Sequence, residues 1–234
     1  MPIPPPLSTP VEWLFIDVGG VLLDDTPLMN ALYRYFARWL TDHGIPRTEQ
    51  ELLRIRDRLE AQGQDQVYKK VLAEAVPDDT TARQALKEFR DWLAPRQFEL
   101  NPLIAGVPEA LEVLASRYKL ALAANQGAYI HEILERHSIH HFFTAAAIAG
   151  ELGVSKPDPR FFDVLFNITR SNPAHAVMIG DSIPNDIQPA RSLGMRTIYV
   201  IEKRGKYTPE TWISASIAEL DEAPNLLISW ETTY

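Results

Sequence analysis

The chain has 234 residues, 46% apolar and 23% charged, which suits one α/β domain with an insertion, or a core with a small second domain. Its net charge of −8 disfavours broad contact with a nucleic-acid backbone but leaves room for a small anionic ligand at a locally positive site. It contains no cysteine, so disulfide scaffolds, thiolate metal sites and cysteine nucleophiles are excluded.

Residues 1–10, MPIPPPLSTP, form a Pro-rich leader that is expected to be extended. It lacks the positive charge and apolar centre of a signal peptide. No stretch approaches the roughly 18 apolar residues of a membrane span, so a membrane role is not expected and a cytoplasmic location is. Trp13-Leu14-Phe15-Ile16 is a short apolar run that stops at Asp17 and is followed by Gly19-Gly20. That pattern predicts a buried parallel strand with a loop at its C-terminal end.

Residues 26–100 change to helical periodicity. Thr26-Pro27 suits an N-cap and first helical position, Leu32, Tyr35, Phe36, Trp39 and Leu40 share one face, and Gly44 suits a terminator. Thr48-x-x-Glu51 reads as a capping box, and helices are expected over Val67–Ala75 and Ala82–Leu93. Together these give a four-helix insertion without visible chemistry. Strand and helix then alternate. Helices are expected from Pro108 to Leu114, Ile130 to Arg136, Pro159 to Phe166 (capped by Asp158) and Ile187 to Leu193. Strands are expected at Lys119–Ala124, within Phe142–Ala149, at Ala176–Ile179 and at Thr197–Ile201. The tail after residue 207 offers Ile217–Leu220 and Leu226–Ile228 for docking on the core. The fold class is therefore α/β: a Rossmann-like, mostly parallel sheet with helices on both faces, plus a helical-bundle insertion.

Asp17, Asn125 and Asp181 each follow an apolar run, at the sheet edge where open α/β proteins bind ligands, and Lys156 lies in a loop before a helix. Two carboxylates brought together there need a counterion, and Mg²⁺ takes one or two carboxylates plus water and phosphate. Lys156 can neutralise phosphate as a point charge, and Asn125 can donate to an anion. A carboxylate nucleophile beside Mg²⁺ and lysine suits phosphoryl transfer through an aspartyl-phosphate.

These residues also carry a resemblance. Asp17-Val18-Gly19-Gly20-Val21-Leu22 resembles the first motif of the haloacid dehalogenase-like superfamily, and Ala123-Ala124-Asn125-Gln126 the second. Lys156-Pro157-Asp158-Pro159 resembles the third, and Gly180-Asp181-Ser182-Ile183-Pro184-Asn185-Asp186, with its paired acids, the fourth. The four occur in order, and the insertion stands where that family carries a helical cap. The resemblance implies a core over residues 11–25 and 101–234 and a cap over 26–100 that closes on small substrates. It further implies Asp17 as nucleophile and metal ligand, the Gly19 carbonyl and Asp181 as further ligands, and Asp186 as the residue orienting the metal shell. Asn125 and Lys156 would hold the phosphate. The function so implied is a Mg²⁺-dependent phosphatase of a small phosphorylated metabolite; oligomeric state and substrate identity are not legible.

Two positions depart from the family pattern. The family's second Asp, its general acid and base, is replaced by Gly19, and such catalysis is worth about 10²- to 10⁴-fold. The hydroxyl of its second motif is replaced by Ala124, with Gln126 as an extra donor. A relative that binds a phospho-ligand or a protein without turnover is therefore the second reading. A metal-independent 2-haloacid dehalogenase is the third, disfavoured by Gly180-Asp181 and Asp186. Asp24 and Asp25 read as solvated hinge residues rather than a substitute acid. His131, His137, His140 and His141 read as surface residues rather than a metal cluster.

Overall fold

The computed structural model describes residues 9–62, 64, 67–201 and 213–232; most of the expected leader lies outside them. The chain divides into two compact units, Met1–Asp24 with Leu103–Tyr234, and Asp25–Pro102. None of the described helices is long and apolar enough to cross a membrane.

The first unit is built on a six-stranded sheet: β1 (Trp13–Ile16), β2 (Lys119–Ala124), β3 (Phe143–Ile148), β4 (Ala176–Gly180), β5 (Arg196–Val200) and β6 (Ala215–Ile217), in the order β3-β2-β1-β4-β5-β6. Every pairing is parallel. β1 is central, and the sheet grows from it in both directions, which makes its C-terminal end the switch point where α/β sheets open a crevice. β1, β4 and β5 are buried along their whole length; β1 and β4 are apolar runs, as burial on both faces requires, whereas β5 opens with Arg196 and Thr197.

Side-chain size fixes the packing on one face. Ala121 and Ala123 of β2 leave room for Phe161, Phe162 and Leu165 from the helix Pro159–Thr169, with Phe15 and Met178 beside them. That helix starts where the sequence predicts, because the Asp158 carboxylate accepts from the Arg160 N–H at 2.9 Å and Pro159 needs no donor. Further helices run over Val107–Ala115, Ile130–Arg136, Gln188–Ser192 and Ala223–Thr232. In the tail Ile217, Leu220 and Leu227 are buried.

One segment differs from the periodic pattern. Ile187–Leu193 is expected as a helix, but a π-helical turn at Ile183–Ile187 precedes a shorter helix, Gln188–Ser192. The start is set by Ser182, whose carbonyl accepts from Asp186 N–H at 2.8 Å and whose hydroxyl accepts from Asn185 N–H at 3.3 Å. Such a turn widens the helix by one residue and redirects a side chain, here the fully buried Asp186.

The second unit contains helices Thr26–Asp42, Glu49–Ala61, Val67–Ala75 and Asp79–Leu93, with a short turn at Gln97–Leu100. Its core joins Leu32, Phe36, Leu40, Leu52, Val71, Leu72, Ala85 and Phe89. Tyr35 and Phe36 of the predicted apolar face join Phe89 and Trp92 in an aromatic cluster with centroids 5.3–6.1 Å apart. The capping box is present in both directions: Glu51 N–H donates to Thr48 Oγ1, and Thr48 N–H donates to Glu51 Oε2. Two starts differ from expectation. Thr26 is inside its helix rather than capping it. The fourth helix begins at Asp79, because Asp78 accepts from the Thr80 and Thr81 N–H groups.

Candidate active site

Parallel register brings the acids together. Ile16 is paired with Leu122 on one side and Ile179 on the other, and Asp17 N–H donates to the Ile179 carbonyl at 2.9 Å. Asp17 therefore stands level with the ends of β2 and β4, one strand spacing (about 4.8 Å) from each. The carboxylates of Asp17, Asp181 and Asp186 present oxygens all within 4.8 Å of one another.

Lys156 is the counter-charge. Its side chain is 1% exposed, and Nζ lies 2.9 Å from Asp17 Oδ1 and 2.5 Å from Asp186 Oδ1. Burial disfavours the lysine's charge, but Asp17 and Asp186 outweigh it and hold its pKa above the ordinary value. Burial pushes the Asp186 carboxyl up to about 7; Lys156 opposes that rise and Asp17 adds to it. Asp186 is also held by the Ser182 N–H, which donates to Oδ2 at 3.0 Å. Both hydrogen bonds to the Asp17 carboxylate, from Val18 N–H at 2.7 Å and from Lys156, converge on Oδ1. Oδ2 takes none from the described residues.

Asn125 makes a contact that its expected role at the phosphate does not include. Its Nδ2 donates to the Lys156 carbonyl at 3.0 Å, and its Oδ1 accepts from the Lys156 N–H at 2.9 Å. The exposed side chain thus clamps the lysine backbone, across a Lys156–Pro157 peptide that is cis. Ala124 is fully buried and offers no hydroxyl. Gly19 lies in the loop after β1, bridged to Leu23. His131 Nδ1 is 2.8 Å from His140 Nε2, and its Nε2 is 3.4 Å from Glu151, away from the acidic group.

Two glycines at the site were not singled out by sequence. A β-carbon on Gly20 would fall 2.1 Å from Asp181 Oδ2, and one on Gly180 2.5 Å from the Asp186 side chain. Gly20 also has φ +71°, a conformation other residues resist. The signal for both was present, since each glycine adjoins a motif acid or a second glycine, but the contacts join residues far apart in the chain.

Three carboxylates facing one ammonium leave an excess of negative charge, with oxygen donors only. That donor set fits a hard divalent cation such as Mg²⁺, with Asp17, Asp181 and Asp186 available to hold it. A Rossmann-like parallel sheet with a lysine-backed acidic centre at its switch point defines an α/β enzyme. The chain belongs to the haloacid dehalogenase-like hydrolase family, which it matches over residues 14–200. It is 34% identical over 109 residues to a glyceraldehyde 3-phosphate phosphatase of Methanopyrus kandleri, a match covering 46% of each chain. It is 28% identical over 191 residues to a phosphoglycolate phosphatase of Aliivibrio fischeri, covering 79% of this chain and 81% of that one. The chain thus spans less than half the length of the first of these relatives. The structure of the HAD-hydrolase YfnB from Bacillus subtilis, bound to magnesium, superposes with a TM-score of 0.72 at 22% identity, over 93% of this chain and 99% of that one.

Proposed function

We propose that this hydrolase is a Mg²⁺-dependent phosphatase of a small phosphorylated metabolite. The observation that carries this reading is the buried Lys156 bridging Asp17 and Asp186, with Asp181 inside the same ligand-sized cluster. The phosphatase relatives support the reaction class, and the magnesium-bound structural neighbour supports the metal.

Asp17 is the nucleophile. Val18 N–H and Lys156 fix Oδ1, so Oδ2 faces the phosphorus. Its attack breaks the bond to the ester oxygen, which leaves with the bonding pair, and water then cleaves the aspartyl-phosphate. Lys156 neutralises the transferring phosphoryl group, and Asn125 holds that lysine in place while offering its remaining donor to phosphate. Asp17, the Gly19 carbonyl and Asp181 would hold the Mg²⁺, and Asp186 would orient the lysine and the metal shell. When bound, the ion neutralises the carboxylates and withdraws charge from the phosphate. The helical unit is assigned as the family's cap, whose side chains choose the substrate.

Phosphate release from a panel of small esters, with Mg²⁺ and with EDTA, tests this. Turnover is expected only with Mg²⁺, and Asp17→Asn is expected to lower it by about 10⁴-fold or more. Asp17→Asn turnover near that of the natural protein sinks the assignment.

A further inference from the structure

Gly19 stands two residues after the nucleophile, and its α-carbon faces the carboxamide of Gln126. A β-carbon on Gly19 would lie 3.1 Å from Gln126 Nε2, tighter than ordinary contact. The space that a side chain at position 19 would enter is therefore bordered by Gln126, which reaches across from the loop after β2. The Gln126 Oε1 atom is buried and has no hydrogen-bond partner among the described residues. Buried acceptors are nearly always satisfied, so such an oxygen, on the side chain that borders Gly19, points to a ligand or water. The loop that presents it is anchored through its backbone. The Gln126 carbonyl accepts from Gly150 N–H at 3.1 Å, and Gly150 approaches so closely that a β-carbon there would fall 2.7 Å from Gly127 Cα.

We propose that Gln126 contacts the substrate in place of a residue-19 side chain and restricts the site to phosphoryl compounds whose leaving group departs without a proton. The inference rests on the phosphatase reading and names a substrate class for it. An amide hydrogen-bonds but does not transfer protons at neutral pH. In the first step Asp17 bonds to phosphorus, and the leaving oxygen departs with the electron pair from the broken P–O bond. Gln126 Nε2–H donates to that oxygen, which takes any proton from solvent. In the second step water bonds to phosphorus, the bond to Asp17 breaks, and the water proton passes to solvent while Gln126 Oε1 accepts a hydrogen bond from the attacking water. Acyl phosphates and phosphates of acidic phenols meet this condition. Alkyl esters, whose alkoxides are strongly basic, do not.

The test is a leaving-group series: acetyl, p-nitrophenyl, phenyl and ethyl phosphate, with Mg²⁺. It uses the full chain, Gln126→Ala, Gly19→Asp, and the double variant. For the natural protein kcat/KM is expected to fall at least about 100-fold from p-nitrophenyl to ethyl phosphate, the order of a missing acid. Gln126→Ala is expected to lower kcat about 3- to 10-fold, the worth of one hydrogen bond. Gly19→Asp alone leaves the series steep, because Gln126 crowds the new side chain; adding Gln126→Ala flattens it by raising the ethyl ester. A change in leaving-group slope is not expected of a purely structural residue. A flat series in the natural protein overturns the inference alone. So does turnover indifferent to Gln126→Ala, or equal flattening by Gly19→Asp with and without Gln126→Ala. No release from any of these substrates by any form overturns the proposed function and the inference with it.

Discussion

Among the described residues of the helical unit, the buried side chains are Leu, Val, Ala, Phe, Tyr and Trp, with Asn101 the polar exception, and the charges pair at the surface: Arg34–Glu49, Arg38–Asp42, Arg58–Glu74 and Lys87–Asp91. The α/β unit instead buries Asp17, Lys156 and Asp186 in mutual contact. The two arrangements are held on different terms. Exposed ion pairs contribute about 0–1 kcal/mol each, so the helical unit stands on its aromatic and aliphatic core. Buried charges lose several kcal/mol of hydration apiece and persist only when partnered. A triad kept at the end of the central strand costs stability that the helical unit does not lose, and the proposed function gives it a reason.

The comparison breaks most readily at the lysine. Lys156→Met strands two buried carboxylates, and about 3–5 kcal/mol of stability is expected to be lost in urea unfolding without metal, together with phosphate release. Mg²⁺ should return more stability to this variant than to the natural protein. An unchanged unfolding midpoint would show that the triad carries no such strain. Phe36→Ala, in the helical core, should lose a similar 3–5 kcal/mol or so by cavity formation. Its Mg²⁺ affinity by titration calorimetry should stay unchanged, since every candidate carboxylate ligand lies in the other unit.

A smaller and more selective effect is expected of Gly180→Ala. The added methyl lies 2.5 Å from the Asp186 side chain and must displace it. Mg²⁺ affinity should fall about 10- to 100-fold with the circular dichroism spectrum kept. The smallest effect is at the tail. Tyr118 Oη donates to Glu231 Oε1 at 2.7 Å, and Arg117 joins the same carboxylate at 2.6 Å. Burial, then the bond to Glu231, pushes the Tyr118 hydroxyl up to about 12 from 10.0. A group whose pKa is raised on folding contributes fully below its unfolded value, and the contribution fades as pH climbs through the folded one. Stability should therefore decline between pH 10.0 and about 12 as Tyr118 ionises. Tyr118→Phe should lose about 0.5–1 kcal/mol below that window and flatten the decline within it. Thermal melts across the window decide the matter.

What was legible in the sequence was mostly local. The strand Lys119–Ala124 and the helices Val67–Ala75 and Ile130–Arg136 begin and end where their apolar spacing says. Asp17 and Asp181 follow the buried apolar runs of β1 and β4 directly, where the chain leaves the sheet. Alternation of strand and helix, with the motif resemblance, also foretold that Asp17, Lys156, Asp181 and Asp186 gather, but not the finer contacts between distant segments. Asn125 reads as a donor to phosphate by residue type, and only the fold aims its amide at the Lys156 backbone. Nothing in Gly19 or Gln126 alone announces that the two meet. The strand expected over Thr197–Ile201 instead runs over Arg196–Val200, one residue earlier, so Arg196 falls within it. Arg196 is fully buried, with its guanidinium over the Trp230 ring and donating to the Thr9 carbonyl at 2.7 Å.

The pairing of Ile16 with Ile179 makes the gap between Asp17 and Asp181 a property of the backbone ladder rather than of any side chain. Sliding β1 by one residue against β4 would carry one acid about 3.3 Å past the other and turn its neighbours to the opposite face. Metal coordination tolerates only about 0.2 Å. On the proposed metal chemistry, the apolar residues of these strands can be exchanged for one another with little consequence, while an insertion or deletion of a single residue in either strand is expected to abolish metal binding.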